Sequence, residues 1–361
     1  MAVQARRRDR LDPEVFELPA QKMREGYYTD VYFNFARETL LADGRHPRVV
    51  MQVFQKKRAV LGGMDEAIAI LKLCSPDWDE LTVHALYDGD EIAPWETVMT
   101  IEGDYTAFAH LETVYLGVLA RRTMIASNVK RVVEAANGKP IIFMPARYDH
   151  HRVQTGDGYA AFVAGARIGA PIGVTTGANA SWWGGRALGT VPHALISSYG
   201  GNTVLAATRF AEHMDPDVNI VVLVDFENDS VRTALEVARA LGDRLWGVRL
   251  DTSRTLVDRS LWGELGDFDP RGVNERLVRK VRDALDNDGF ERVRIVASGG
   301  MNAERIRDFE ENGVPIDSYG VGSALIRGEN DFTADVVLTD GRPSAKVGRR
   351  YRPNPRLELV D

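Results

Sequence analysis

The sequence has a single cysteine, Cys74. One thiol excludes an internal disulfide and any multi-cysteine metal site, and it fits a reducing, cytoplasmic setting. No run approaches the roughly 18 consecutive apolar residues of a transmembrane helix. There is no internal repeat and no low-complexity linker. Positive charge is not in excess: 45 Lys and Arg against 52 Asp and Glu give a formal net charge of −7. Neither nucleic acid nor an anionic membrane surface is therefore an expected partner. The one basic cluster, Arg6-Arg7-Arg8-Asp9-Arg10, is not followed by an apolar segment. It reads as a solvated terminus, not as a secretion signal or anchor. The balance is globular, with 361 residues, 44% of them apolar and 27% charged. That suffices for two domains, or for one barrel plus an accessory domain.

Two regimes follow one another along the chain. Residues 1–125 mix strands and helices without regular spacing and are expected to form an α+β domain. Val49 to Phe54 and Val98 to Gly103 read as strands, and Asp65 to Leu71 and His110 to Leu116 as helices. From about Lys139, short apolar segments alternate with helical patterns. The segments are Pro140 to Phe143, Pro171 to Val174, Leu188 to Val191, Asn219 to Val224, Leu245 to Leu250, Val293 to Ala297 and Ile316 to Val321. Helical patterns include Ser230 to Leu241, with Asp229-Ser230 as its expected cap, and Val273 to Asp286. Seven strands separated by helices predict a parallel sheet, either closed into an α/β barrel over 126–338 or left as an open doubly wound sheet. A last strand, Asp335 to Leu338, leads through the turn Thr339-Asp340-Gly341-Arg342-Pro343 into a basic tail, 339–361.

Residues suited to chemistry collect where the predicted strands end, which is where α/β barrels place their sites. Arg147 follows the first strand, with His150, His151 and Arg152 behind it. Thr175-Thr176-Gly177-Ala178-Asn179 follows the second, His193 the third and Asp225 the fourth. Arg249 and Asp251 end the fifth, Ser298-Gly299-Gly300 the sixth and Gly320-Val321-Gly322-Ser323 the seventh. The last two segments each open a helix. Glycine lets backbone amides approach a ligand, and the helix start adds partial positive charge, so both suit a phosphate. The alternative is that these glycines only make tight turns. Arg249 and Asp251 are two apart on one strand and share a face. They can hold an anion and sugar hydroxyls, or simply pair with each other. His193 can be a base, a nucleophile or a satisfied core histidine. Asp225, Glu227 and Asp229 can hold magnesium beside phosphates, or form a solvated acidic turn. Trp182 and Trp183 read as core or interface residues. His150 and His151 have no partners that would complete a metal site.

Taken together these motifs resemble the nicotinate phosphoribosyltransferases, within the type II phosphoribosyltransferases of pyridine nucleotide synthesis. Gly189-Thr190-Val191-Pro192-His193 resembles that family's Gly-Thr-x-x-His, and Thr29-Asp30-Val31-Tyr32 its Thr-Asp-x-Tyr. His110-Leu111-Glu112-Thr113 resembles its Leu-Glu-Thr helix, and Arg249-Leu250-Asp251 its Arg-x-Asp. Ala345-Lys346-Val347-Gly348-Arg349-Arg350 is similar to its closing segment. There are departures. Met144-Pro145-Ala146-Arg147 stands where the family usually has Phe-Gly-x-Arg, and the cysteine-rich zinc module of some archaeal-type members is absent.

The resemblance implies an incomplete, seven-stranded α/β barrel with an N-terminal α+β domain to which the C-terminal tail returns. It implies transfer of phosphoribose from 5-phosphoribosyl-1-diphosphate to nicotinate, with Mg2+ and with ATP as co-substrate, in a dimer or larger homo-oligomer. By the same resemblance His193 is the phosphorylated histidine and Asp251 acts beside it. Tyr32, Arg147, Thr190 and Arg249 bind substrates, and Ser298, Gly299, Gly300, Gly320, Gly322 and Ser323 bind the 5′-phosphate. Asp225 is the expected magnesium carrier. Quinolinate is the alternative base, favoured by the His150-His151-Arg152 cluster. Nicotinamide is disfavoured, because no aspartate stands in Thr176-Gly177-Ala178-Asn179. A non-catalytic barrel that binds phosphorylated ligands is the alternative from another class.

Overall fold

The protein's structure, a computed structural model, describes residues 9–361 apart from 171 and 265. Arg6, Arg7 and Arg8 of the basic start, and Pro171 at the head of the second predicted barrel strand, lie outside the described residues. In chain order the strands begin with β1 (Arg48–Phe54), β2 (Ala59–Val60), β3 (Thr82–Ala85), β4 (Glu91–Ile92) and β5 (Thr97–Asp104). Next come β6 (Ile141–Phe143), β7 (Ile172–Val174), β8 (Ile220–Leu223), β9 (Leu245–Leu250), β10 (Arg294–Ala297) and β11 (Ser318–Val321). The chain closes with β12 (Thr333–Thr339), β13 (Arg342–Pro343) and β14 (Glu358–Leu359).

The chain divides into two compact units. The first comprises Met1–Lys130, Tyr159–Gly169 and Arg327–Asp361. Its sheet has the order β13-β12-β1-β5-β3-β14, and its named pairings are all antiparallel. Val49, Met51, Val53, Val83, Ala85, Val98, Met99 and Ile101 are buried in it together with Ile68 and Leu71 of the helix Met64–Cys74. β12 was expected to belong with the barrel that ends at 338. It pairs instead with β1, from Val49 opposite Thr339 to Phe54 opposite Thr333. An apolar segment does not announce which sheet edge it will join. The turn after it is a two-residue hairpin in which Asp340 and Gly341 both have positive φ, 49° and 75°, the conformation that Asp-Gly favours. The tail then supplies β14, which pairs with β3.

The second unit comprises Arg131–Gly158 and Ala170–Ile326. Its sheet is parallel, in the order β7-β6-β11-β10-β9-β8. The predicted segment Leu188 to Val191 is not a laddered strand. It fills the remaining place in the ring through isolated parallel bridges, Ala187 to Val174 of β7 and Val191 to Val222 of β8. The bonds are Leu188 N–H to Val174 C=O, 2.7 Å, and Val191 N–H to Val221 C=O, 2.9 Å. The result is the incomplete α/β barrel that the family resemblance implied, and not the open doubly wound sheet that the alternation alone had left possible. β8 and β11 are buried throughout, as expected where a parallel sheet is covered on both faces. The covering helices are amphipathic: Ser230–Leu241 buries Val237 and Ala238, and Glu275–Asn287 buries Leu277, Val278, Val281 and Leu285.

The helix Ser230–Leu241 starts where the sequence placed it, but Asp229 does not cap it. The Asp229 carboxylate is 3.0 Å from Arg232. The cap is Asp258, 28 residues away and fully buried. Its Oδ2 accepts from the Ser230 N–H at 2.9 Å and the Ser230 hydroxyl at 2.7 Å. Its Oδ1 accepts from the N–H and hydroxyl of Ser260 at 3.0 and 2.7 Å. Four donors explain how a buried carboxylate is tolerated there. Asp258→Ala leaves those donors unsatisfied and is expected to cost about 2–3 kcal/mol in denaturant unfolding, whereas Asp229→Ala is expected to cost about 0.5 kcal/mol or less, as for an exposed pair.

Candidate functional site

In a parallel sheet every strand presents its carboxyl end at the same rim, so residues far apart in sequence meet there. Arg249 is the meeting point. It stands near the end of β9 with a side chain only 12% exposed, and its own strand end and two neighbouring elements supply its partners. Its Nε donates to the Ser298 hydroxyl after β10 at 2.8 Å, and Nη2 donates to Asp251 Oδ2 at 3.2 Å. Nη1 lies 3.4 Å from the Thr190 hydroxyl on the bridging segment. Ser298 Oγ is in turn 2.7 Å from Asp251 Oδ1. The two-residue spacing of Arg249 and Asp251 thus puts both on one face, as the sequence implied. It also makes them partners of each other, so the pair is a closed polar network and not two independent groups.

The glycine turns lie against this network. Gly299 and Gly300 have φ of 83° and 73°, a region in which a β-carbon is strained. A β-carbon on Gly300 would also stand 2.4 Å from Arg254 Nε. On β11 a β-carbon at Gly320 would come within 2.5 Å of Met144 Sδ and 3.2 Å of Ser298 Cβ, and one at Gly322 within 2.9 Å of the Tyr148 ring. The two glycine segments therefore sit side by side at the same rim, and Ser323 opens a 3-10 turn, Ser323–Leu325.

His193 is the first residue of the helix His193–Ser198, directly after the bridging segment. Its Nε2 is 2.9 Å from Asp225 Oδ1; the imidazole is 44% exposed and the carboxylate 8%. This hydrogen bond raises the His193 pKa above its ordinary value of 6.5; burial and Arg249 oppose the rise, and the charges of Asp225 and Asp251 add to it. The sequence treated Asp225, Glu227 and Asp229 as one acidic loop. The structure divides them: Asp225 faces His193, whereas Glu227 and Asp229 are tied to Arg232. The His193–Asp225 pair went unread. The signal available was that Leu188 to Val191 and β8 are consecutive strands, whose ends must be neighbours.

Other expected site residues stand apart from this network. Arg147 is exposed, and its guanidinium carbon lies 5.8 Å from the Tyr148 ring centre. His150 and His151 are exposed and lie with ring centres 4.2 Å apart. Tyr32 belongs to the first unit, on the helix Val31–Ala42, and is 59% exposed. Asn179 is buried and holds its loop by donating to the Gln154 carbonyl at 2.6 Å. Trp182 and Trp183 are half-buried, and the Trp183 indole donates to the Asn179 carbonyl at 2.9 Å. Among the described residues no group of three or more His, Cys, Asp or Glu is placed to hold a metal ion, and no helix is long and apolar enough to cross a membrane.

Known proteins with this architecture share more than its outline. Residues 30–123 match the family described as quinolinate phosphoribosyl transferase, N-terminal domain. The chain is similar to the crystal structure of a nicotinate-nucleotide pyrophosphorylase from Pyrococcus furiosus, with 31% identity and a TM-score of 0.79, covering 95% of this chain and 85% of that one. It is 32% identical over 279 residues to a nicotinate phosphoribosyltransferase of Mycobacterium tuberculosis, which covers 74% of this chain. The chain spans 56% of that relative's length. Human nicotinic acid phosphoribosyltransferase has the same fold at 17% identity, with a TM-score of 0.64. With its barrel, its glycine turns and these relatives, the chain belongs to the type II phosphoribosyltransferases of pyridine nucleotide synthesis.

The His193–Asp225 bond has a pH signature. A folded-state pKa raised above the unfolded one contributes stability that is fully present below about 6.5 and is lost as pH rises through the folded value. Asp225→Asn is expected to lower the His193 pKa, followed by NMR titration of its ring protons, and to remove that increment of acid-side stability. An unchanged titration would show that the pair does not form.

Proposed function

We propose that the protein transfers phosphoribose from 5-phosphoribosyl-1-diphosphate to nicotinate, giving nicotinate mononucleotide and diphosphate, with ATP hydrolysis coupled through His193. The observation that carries this reading is the Arg249–Asp251–Ser298 network set between two glycine turns and beside the His193–Asp225 pair. The relatives named as nicotinate phosphoribosyltransferases favour nicotinate as the base.

In this transfer the C1–O bond to diphosphate breaks while the pyridine nitrogen approaches the same carbon, and positive charge develops on the ribose. The ring nitrogen is already nucleophilic, so the protein's task is placement and charge stabilisation. Asp251 offers carboxylate oxygens for the ribose hydroxyls and negative charge near the developing cation. Arg249, held by Ser298 and Asp251, is placed to meet an anionic substrate group. The glycine turns receive the 5′-phosphate on backbone amides. Tyr32 stacks on the pyridine ring and Arg147 neutralises its carboxylate. Tyr27, Tyr28, Val31, Tyr32 and Phe35 are all exposed, an apolar surface that suits burial against a second copy. We therefore assign a dimer or larger homo-oligomer.

Asp225 and Asp251 each have a protein partner. This fits a Mg2+ that would be bound mainly through substrate phosphates, with Asp225 as the carboxylate beside it. Bound there, the ion would neutralise charge on the departing diphosphate. For the ATP step, Asp225 accepts a hydrogen bond from Nε2–H, which fixes the tautomer whose Nδ1 lone pair is free. Nδ1 attacks the γ-phosphorus, the bond to ADP breaks, and later hydrolysis releases phosphate.

The test is an assay of phosphoribosyl diphosphate with nicotinate, nicotinamide or quinolinate, each with and without ATP. Nicotinate is expected to be preferred to nicotinamide by about ten- to a hundredfold, because nicotinamide forgoes the charge-assisted hydrogen bond that a carboxylate makes to Arg147, roughly 1.5–3 kcal/mol. His193→Ala is expected to abolish ATP stimulation and labelling from γ-phosphate-labelled ATP, while some ATP-independent transfer persists. Gly299→Val and Gly322→Val are expected to raise the KM for phosphoribosyl diphosphate by about tenfold or more, since a β-carbon is strained at the positive φ of Gly299 and meets the Tyr148 ring at Gly322, so either change displaces a turn that receives the anion. Equal use of nicotinamide, preference for quinolinate, or binding without turnover would each overturn the assignment.

A further inference from the structure

Beneath the glycine turn after β10 lie two arginines that neither the sequence motifs nor the reaction scheme accounts for. Arg305 sits in the first turn of the helix Ala303–Glu311, and its N–H is capped by the Asn302 side chain at 2.9 Å. Its side chain runs back to the turn that precedes the helix. Nη1 donates to the Gly299 carbonyl at 2.9 Å, and Nη2 donates to the Val273 carbonyl. Arg254, after β9, donates through Nη2 to the Gly300 carbonyl, with its guanidinium packed where a Gly300 β-carbon would be. Two guanidinium groups thus hold two consecutive carbonyls of one turn.

The planar peptide makes this consequential. In a trans peptide unit the C=O of one residue and the N–H of the next point in opposite directions, and no peptide in the described residues is cis. Fixing the Gly299 carbonyl therefore turns the Gly300 N–H away from Arg305. Fixing the Gly300 carbonyl turns the Met301 N–H away from Arg254. Among the described residues the N–H groups of Gly299, Gly300 and Met301 donate to no acceptor. Consecutive free amides are the donor set that holds an anion at a turn before a helix. The two arginines also crowd each other. Burial first, and then the neighbouring Arg254 charge, lower the pKa of Arg305, and only the Asp269 charge opposes them. An anion on the turn would relieve that crowding.

We propose that Arg305 is a positioning residue for the 5′-phosphate: it holds the Gly299 carbonyl so that the amides of the turn stay aimed at the anion, with Arg254 doing the same for the next peptide. This rests on the phosphate reading of the glycine turn given above and extends it to side chains that need not touch substrate themselves. Ribose 5-phosphate tests it, because it carries the 5′-phosphate without the diphosphate, and inorganic diphosphate serves as the complementary probe. Calorimetry with Arg305→Met should show ribose 5-phosphate binding weakened by about tenfold, the equivalent of one charge-assisted hydrogen bond, with diphosphate binding unchanged. In steady-state assays the KM for phosphoribosyl diphosphate should rise by the same factor, with kcat and the nicotinate KM within about twofold. Arg305→Lys, which can hold one carbonyl, should recover part of the loss, and the more exposed Arg254→Ala should give a smaller loss of the same kind.

Unchanged ribose 5-phosphate binding in both Arg305→Met and Arg254→Ala would overturn the proposal. So would equal weakening of ribose 5-phosphate, diphosphate and nicotinate, which marks a general structural defect. Gly300→Val separates the two layers. If it leaves ribose 5-phosphate binding intact, the turn is not the phosphate site and the underlying reading fails. If it abolishes binding while the arginine variants do not, only the role of Arg305 and Arg254 falls.

Discussion

A guanidinium group held at the rim of an apolar barrel sets the terms for everything around it. Arg249 is nearly excluded from water, and its charge must be answered by the neighbouring strands. Asp251 answers from the same strand, Ser298 from the next, and Thr190 from the segment that completes the ring. Two of these partners are also committed to each other, since Ser298 reaches Asp251. The network fixes the relative heights of three strand ends, and the glycine turns and His193 are mounted on those ends. Removing one member would leave the others buried and unsatisfied, so the site is specified by mutual satisfaction more than by any single residue.

The two ionic centres of the barrel rim differ in kind. The Arg249 network is closed and mostly buried, which suits holding a shape. The His193–Asp225 pair has a buried acceptor and a half-exposed imidazole, which suits a group that must meet a partner from solution. A carboxylate anchors one ring nitrogen and leaves the other presented. This division between a fixed frame and an exposed reactive atom follows from burial alone. It agrees with the proposed separation of sugar transfer from the phosphorylation step.

Much of the fold was legible in the sequence because parallel strands buried on both faces are short apolar runs, and helices between them are amphipathic. Leu245 to Leu250 and Ser230 to Leu241 coincide with observed elements. The strand-end residues were legible for the same reason, since the end of an apolar run is a property of the sequence. Residues that act by reaching across were not. The Asp258 cap lies 28 residues from the serine it serves, Asp225 lies 32 residues from His193, and β12 lies some 280 residues from β1. No local pattern encodes such distances; they follow only once the order of strands in each sheet is known. Asp229 was misread as a cap because its position was right, although Arg232, three residues on, offered it a stronger partner.

The seam of the barrel has a consequence of its own. Six strands are joined by ladders, but the seventh place is filled by residues 187–191, held to each neighbour by an isolated bridge. Opening that seam breaks few hydrogen bonds, so amide exchange within the barrel should begin there and not in the laddered strands. His193 hangs two residues beyond it. The residue assigned the phosphoryl group is therefore mounted on the most loosely stitched part of an otherwise continuous ring. A ring fastened in this way can shift its histidine without disturbing Arg249's contacts to Asp251 and Ser298, and the ties that couple the two motions are Thr190 and the His193–Asp225 bond.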